Sequence, residues 1–190
     1  ATIALAFSPL GDLLAIALLS GDILLLQAAS LHQSGQFHLE DAETVGQSLA
    51  FAPDGGALAV GTNQGSIELF VTSGRWERIG ICRGHNAAVT AVDWSEGGGE
   101  LMSNSLAYEL IFWDARTGGQ LPAASTRQLR WASANCRVSW GVKGAVARHL
   151  HPDLLLATAR SGGATTLACG GADGGVSLFQ YPCFSSQAVS

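Results

Sequence analysis

The stretch from Gly84 to Asp114, GHNAAVTAVDWSEGGGELMSNSLAYELIFWD, decides how this chain is read. A Gly-His pair opens it and a Trp-Asp pair closes it. Between them lie two runs with the apolar and β-branched character of strands, separated by the turn Ser95-Glu96-Gly97-Gly98. One such stretch is compatible with many folds, so the test is whether the chain repeats it.

Four segments align without gaps: Phe7 to Gln27, Phe51 to Val71, Trp94 to Asp114 and Arg160 to Gln180. Their leading positions are spaced by 44, 43 and 66 residues. The first two spacings fit a unit of about 40–45 residues. In each segment a strand ends at the leading residue. A turn follows, at Ser8-Pro9-Leu10-Gly11, Ala52-Pro53-Asp54-Gly55, Ser95-Glu96-Gly97-Gly98 and Ser161-Gly162-Gly163-Ala164. A short apolar strand leads to a second turn, at Ser20-Gly21, Gln64-Gly65, Ala107-Tyr108 and Asp173-Gly174. Three of these four supply glycine where a positive φ is expected. A third strand then carries Ile23, Ile67, Phe70, Ile111, Phe112, Val176 and Phe179.

This pattern resembles the WD40 repeat, the four-stranded blade of a β-propeller. The fold class expected is all-β, about four consecutive blades of a larger propeller, since such rings close with roughly 4–8 blades. Repeats fall near residues 1–40, 45–82, 84–123 and 155–183, with an insertion at 124–154. The lead strands should be innermost, and the outer strands, including Trp76 to Cys82, should carry the arginines. A strand already starting at Thr2 reads as a piece of a longer chain.

Composition fits a strand-rich, largely apolar object: 47% of residues are hydrophobic and only 13% charged, with 24 glycines. The longest apolar run, Leu13 to Leu26, is broken by Ser20-Gly21-Asp22 and is too short to span a bilayer. No signal peptide is visible. The net charge is −5, with one lysine, Lys143, and nine arginines. That offers no basic stripe for nucleic acid. Cys82, Cys136, Cys169 and Cys183 form no CxxC pair and read as reduced, mostly buried thiols. Cys136, His149, His151 and Cys169 match no structural zinc spacing, so no metal is expected.

Catalytic patterns are not found either. No Lys-Ser/Thr follows the glycine clusters, and GxSxG and HExxH are absent. No catalytic residue, cofactor or small-molecule substrate is expected. His85, Ser103, Trp113 and Asp173 are read as structural. In a WD40 blade the Gly-His histidine, a strand serine, a turn aspartate and the closing tryptophan form a buried hydrogen-bonded set, useful only when satisfied. Here Ala107 takes the aspartate's place in the third copy. Leu26, Phe70 and Phe179 replace the tryptophan in the others, so these blades are expected to lean on apolar packing.

A more specific resemblance covers roughly residues 78 to 183. It rests on Arg78-Ile79-Gly80, Gly84-His85, Val92-Asp93-Trp94-Ser95, Leu101-Met102-Ser103-Asn104-Ser105 and Tyr108-Glu109-Leu110. Further on it includes Ser125-Thr126-Arg127, Trp131-Ala132, Cys136 and Leu178-Phe179-Gln180-Tyr181-Pro182-Cys183. These words resemble the echinoderm microtubule-associated protein-like family. The resemblance implies a non-catalytic tandem propeller that associates with tubulin and microtubules in the cytoplasm and cytoskeleton, including a cilium or axoneme. Departures fall at Ala107, at Val146 and at His151-Pro152-Asp153-Leu154. A generic WD40 adaptor, presenting a partner within a multiprotein complex, is the alternative, and an acidic chain fits it as well.

Two arginine groups are candidate partner contacts: Arg75 and Arg78 beside Arg83, and Arg127, Arg130 and Arg137 in the insertion with Trp131. A charged edge strand that resists pairing explains the first group equally well. Residues 115 to 159 are long for a connection, and Trp and Arg are enriched at binding hot spots. Leu129, Trp131, Val138, Trp140 and Val142 give a partial alternation, so ordered β structure is expected there. Packing between blades and partner binding both remain open for it.

Overall fold

A computed structural model describes residues 1–39, 41, 43–149, 155–160 and 165–184. The side chains of 147–149, 155 and 156 are not described. The chain divides into two compact units, Ala1–Leu129 and Arg130–Ser190.

The first unit holds three four-stranded antiparallel sheets, each built from consecutive strands. The first sheet runs β1 (Thr2–Phe7), β2 (Leu13–Leu18), β3 (Asp22–Gln27) and β4 (Gln33–His38). The second runs β5 (Gly46–Phe51), β6 (Ala57–Thr62), β7 (Ser66–Val71) and β8 (Arg78–Arg83). The third runs β9 (Val89–Trp94), β10 (Glu100–Ser105), β11 (Leu110–Asp114) and the short β12 (Gln120–Leu121). Strands β1, β5 and β9 end at the three aromatic lead residues, as the repeat pattern requires. β1 lies against β5, and β5 against β9, so the lead strands are the ones nearest their neighbours. Arg78 and Arg83 sit on β8, the outer strand of the second sheet.

The turns follow the glycine placement. Gly11, Gly55 and Gly98 have φ of 71°, 73° and 70°. Their N–H groups donate to the carbonyls of Ser8, Ala52 and Ser95. The corresponding turn at Ser161–Ala164 lies outside the described residues. At the second turn Gly21, Gly65 and Gly174 have φ of 86°, 80° and 79°, and Tyr108 adopts 58° in their place.

Two apolar cores join the three sheets, and each has the same polarity. Large side chains of one sheet press on a small-residue face of the sheet before it. Leu49, Leu58, Val60 and Phe70 of the second sheet pack against Ala15 and Ala17 of the first, with Ile23 and Leu25. Val92, Trp94, Leu101 and Trp113 of the third pack against Ala50, Ala52 and Ala59 of the second, with Ile67 and Leu69. Alanine lets neighbouring backbones approach, and the bulky partner fills the gap to native density. Trp76 closes the outer rim of the first interface, stacked 6.0 Å from Phe37 and edge-on 6.5 Å from Phe51.

The second unit contains a three-stranded antiparallel sheet, β13 (Leu155–Ala159), β14 (Thr166–Gly171) and β15 (Val176–Gln180). Ahead of it lie a 3-10 turn, Trp140–Val142, and one helix, α1 (Lys143–His149). Ala134, Val142, Ala145, Leu167, Cys169, Phe179 and Cys183 form its core.

The β structure expected over 115–159 is therefore corrected in part. β12 and β13 are its strands, and between them the described residues form 3-10 turns at Ala123–Thr126 and Trp140–Val142, an isolated bridge at Trp131 and the helix α1. The alternation Val138, Trp140, Val142 misled. Val142, Ala145 and Val146 instead follow the i, i+3, i+4 spacing of one helical face, and the first two are fully buried.

Candidate functional site

The polar centre of the first unit is assembled by two loops that meet at the third sheet. Gly84-His85 follows β8, and Glu109 precedes β11. A side chain at Gly84 would run into the Gln120 amide and lie 3.3 Å from the Trp113 ring. This position also has φ +155°, so the backbone favours glycine while the Gln120 amide would have to move aside for any side chain. That is the physical content of the Gly-His pair.

His85 is buried and spends both ring nitrogens. Its Nδ1 is 2.9 Å from Glu109 Oε2, and its Nε2 is 2.7 Å from Ser103 Oγ. Trp113 Nε1–H donates to the same Ser103 oxygen at 2.8 Å. An ionised carboxylate can only accept, so Nδ1 carries the proton in the neutral ring. Ser103 then donates its hydroxyl proton to Nε2 while accepting from the indole. One directed chain results: Trp113 to Ser103 to His85 to Glu109. The imidazole and indole rings also meet edge to face, 5.8 Å between centroids.

Glu109 was not singled out by the sequence reading, which looked for an acid at Ala107. It accepts from Ser105 Oγ at 2.7 Å, the Asn86 N–H at 3.0 Å and Asn86 Nδ2 at 2.5 Å, besides His85. The Ser105 hydroxyl foremost, with His85 and Asn86 adding to it against burial, holds its carboxyl down at about 2. The longer glutamate side chain, set two residues later, reaches the place a turn aspartate would fill. A register comparison shows the signal: the matching positions are Asp22 and Ser66. Asp22 accepts from Ser20, Gln36 and His38, and Ser66 pairs with Thr62.

The second and fourth copies replace the polar chain by apolar contacts, and in the first the matching Ile16 and Leu26 are half-buried. Val60 and Phe70 are buried where Ser103 and Trp113 stand, and so are Cys169 and Phe179. Asp173 is exposed and accepts from the Gly175 N–H at 3.0 Å. It braces its own turn and belongs to no buried set.

The arginine candidates separate by environment. Arg75, Arg127 and Arg130 are exposed and Arg137 is half-buried. Arg78 pairs with the buried Glu68 at 3.3 Å. Trp131 is only 8% exposed, and its carbonyl accepts from the Arg160 guanidinium, which also stacks 4.2 Å over Tyr181. Its ring is thus core material and presents little surface to a partner. Trp140, set beside it in sequence reasoning, is the exposed one. Beside His85 a polar cavity of about 180 Å³ is lined by Asp41, Thr44, Gln64, Glu68 and Arg83, among others. Among the described residues no group of His, Cys, Asp and Glu could hold a metal ion, and no helix is long and apolar enough to cross a membrane.

Consecutive four-stranded sheets, closed by a His-Ser-Trp chain in one copy, define a WD40-type β-propeller segment. All 190 residues match the family described as echinoderm microtubule-associated protein second beta-propeller, and the chain belongs to that family. It is 33% identical to human echinoderm microtubule-associated protein-like 2 over 188 residues, 97% of this chain and 29% of the relative. It is also 33% identical to the 77 kDa echinoderm microtubule-associated protein of Lytechinus variegatus, over 93% of this chain and 27% of the relative. The chain thus spans less than a third of the curated relatives it matches. Among solved structures it is similar to Chaetomium thermophilum Sqt1 bound to the N-terminus of ribosomal protein L10, with TM-score 0.58 and 20% identity. That match covers 94% of this chain and 43% of the other. The computationally designed Ika4 protein is similar at TM-score 0.57 and 17% identity, covering 95% and 91%. At such identities these two bear on the fold alone.

Proposed function

We propose that this chain is a non-catalytic propeller segment of a microtubule-associated scaffold, binding tubulin or a microtubule-bound partner. The observation that carries the reading is the match along its whole length to a family whose relatives are named microtubule-associated. The site supports it. His85, in a buried polar set, is held in place by Glu109 and Ser103 and serves as a strut. The reading assigns no cofactor, nucleic acid, membrane or small-molecule substrate, and places the protein on the cytoplasmic cytoskeleton, with cilium or axoneme as one setting. The repeats near 1–40, 45–82, 84–123 and 155–183 act as its blades and 124–154 as an insertion. Arg75, Arg127, Arg130 and Arg137 are its candidate ionic contacts.

One observation favours a second reading, an adaptor that presents a partner within a protein complex. The net charge of −5 gives no long-range steering toward an acidic polymer. Co-sedimentation of the chain with microtubules over a range of salt tests the two. Saturable binding at physiological salt supports the scaffold. Failure to pellet at any salt leaves the adaptor.

A further inference from the structure

The first and fourth sheets each leave an apolar face open, and the two faces are complementary. On the first sheet Leu5 pairs with Ile16 and Ile16 with Leu24, while Phe7 pairs with Leu14 and Leu14 with Leu26. Strand alternation puts all six side chains on one face. Leu5 is 60% exposed and Phe7 63%, and the other four are half-buried. In the second sheet the same register positions hold Leu49, Leu58, Val60 and Phe70, and in the third Val92, Leu101, Ser103 and Trp113. All eight are buried, because in those sheets this bulky face presses on the small-residue face of the sheet before.

The fourth sheet presents such a small-residue face. Ala168 pairs with Leu178 and Gly170 with Val176. The same register gives Ala15 with Leu25 and Ala17 with Ile23 in the first sheet, and Ala59 with Leu69 and Gly61 with Ile67 in the second. Those eight residues are buried, whereas Ala168 and Gly170 are half-buried, Val176 is 76% exposed and Leu178 49%. One crossing point shows how closely such faces fit. A side chain at Gly61 would come within 2.7 Å of Val89 Cγ1, at the start of β9. One interface earlier the roles are exchanged, and a Cβ at Gly46, at the start of β5, would lie 3.1 Å from the Ala17 Cβ. A Cβ at Gly170, in the register of Ala17 and Gly61, would have the Ala157 Cβ of its own sheet as nearest neighbour, at 3.9 Å. Thr2, in the register of Gly46 and Val89, is exposed. Thr2 on Gly170 would repeat the fit of Val89 on Gly61.

We propose that the bulky face of the first sheet docks head to tail on the small-residue face of the fourth sheet of a second copy of this chain. Open apolar faces of this kind mark association sites. A head-to-tail contact either runs on as a filament or closes into a ring. Two copies, with four sheets each, would bring a blade number at the upper end of the roughly 4–8 with which propellers close, so a closed pair is the expected assembly.

The test is the mass of the purified chain by sedimentation velocity over a series of micromolar concentrations. Twice the chain mass is expected, falling to the chain mass on dilution. Leu5→Lys spoils the bulky face, and the double variant Val176→Lys, Leu178→Lys spoils the small-residue face. These side chains are exposed, so the diluted variants should melt as the diluted parent does. Each variant alone should be monomeric where the parent is paired. Their equimolar mixture should form a one-to-one pair at higher concentration, since it makes one contact and not two. A parent that stays monomeric overturns the proposal and leaves both faces to other sheets of a longer protein. A double variant that still pairs by itself overturns it in favour of two bulky faces meeting. A folded mixture that never pairs also overturns the head-to-tail mode. The parent's mass is decisive even where a variant fails to fold.

Discussion

His85 and Glu109 lie 24 residues apart in sequence and 2.9 Å apart in space. Their contact joins the loop entering the third sheet to that sheet's second turn. It lets one histidine, one serine and one tryptophan act as a single strut. Glu109→Ala would leave His85 Nδ1–H and both Asn86 donors without their acceptor. Removing the acceptor of a buried donor costs about 1–3 kcal/mol, and a urea titration should show a loss of that size. Exposed Glu96, on the turn opposite, should change by less than about 0.5 kcal/mol when replaced by alanine.

The same carboxylate sets a pH dependence. Its folded value of about 2 lies below the ordinary 4.5. Its contribution is therefore complete above about pH 4.5, shrinks as the pH falls, and is gone below about pH 2. Urea midpoints measured from pH 6 to pH 2 should fall more steeply in that window for the parent than for Glu109→Gln. Parallel curves would show that the network does not set acid stability.

Trp94 and Phe7 occupy the same register position, yet their environments differ. Trp94 is 3% exposed, and its indole donates to the Ala50 carbonyl at 2.9 Å. Phe7 is 63% exposed. Trp94→Ala should destabilise the chain by about 3–5 kcal/mol, as large-to-small core changes do. Phe7→Ala should cost less than about 0.5 kcal/mol. Thermal melts of the two variants would show the separation.

The contrast at Phe7 marks what was legible in the sequence. Strand order and turns were readable because alternation, Gly11, Gly55 and Gly98, and the aromatic leads act locally. Burial was not, since it depends on which sheet face has a neighbour, and three residues in one register cannot report that. The acid at 109 escaped because motif reading counts positions, whereas a hydrogen bond depends on reach. The helix α1 escaped because Val142 belongs both to a two-residue alternation with Val138 and Trp140 and to an i, i+3, i+4 face with Ala145 and Val146, and so short a run does not separate the two. Trp131 and Trp140 looked equivalent by composition, and only tertiary packing buries one and exposes the other.

Gly65 and Gly98 both have positive φ, but only Gly65 is crowded. A side chain there would meet the His85 carbonyl oxygen at 2.5 Å, whereas nothing lies within 4 Å of one at Gly98. Gly98→Ala should cost only the left-handed penalty of about 1–2 kcal/mol. Gly65→Ala should cost more than that, because backbone must move. Equal urea midpoints for the two variants would contradict the close approach at His85.

The thiols should be inert in the folded chain. Burial, with the Asp114 carboxylate adding to it, pushes Cys82 up to about 12. Burial, with Cys183 adding to it, pushes Cys169 up to about 11. The thiolate is the reactive form, and all four cysteines are buried. A chromogenic disulfide reagent at pH 8 should label the native protein only slowly and all four thiols in denaturant.

Charge reversal separates the two groups of arginines. Arg78 lies 3.3 Å from Glu68, whose side chain is 5% exposed. Arg78→Glu would set two carboxylates against each other, one of them buried, which is strongly destabilising. Lost binding by that variant would then report unfolding. Arg127 and Arg130 are exposed, and reversing both should shift stability by no more than about 0.5 kcal/mol each. If they contact an acidic partner, the double variant keeps its melting curve and loses recruitment to microtubules in cells, with the largest deficit at low salt in vitro. Unchanged recruitment of a folded double variant would make the insertion structural and move the binding surface elsewhere.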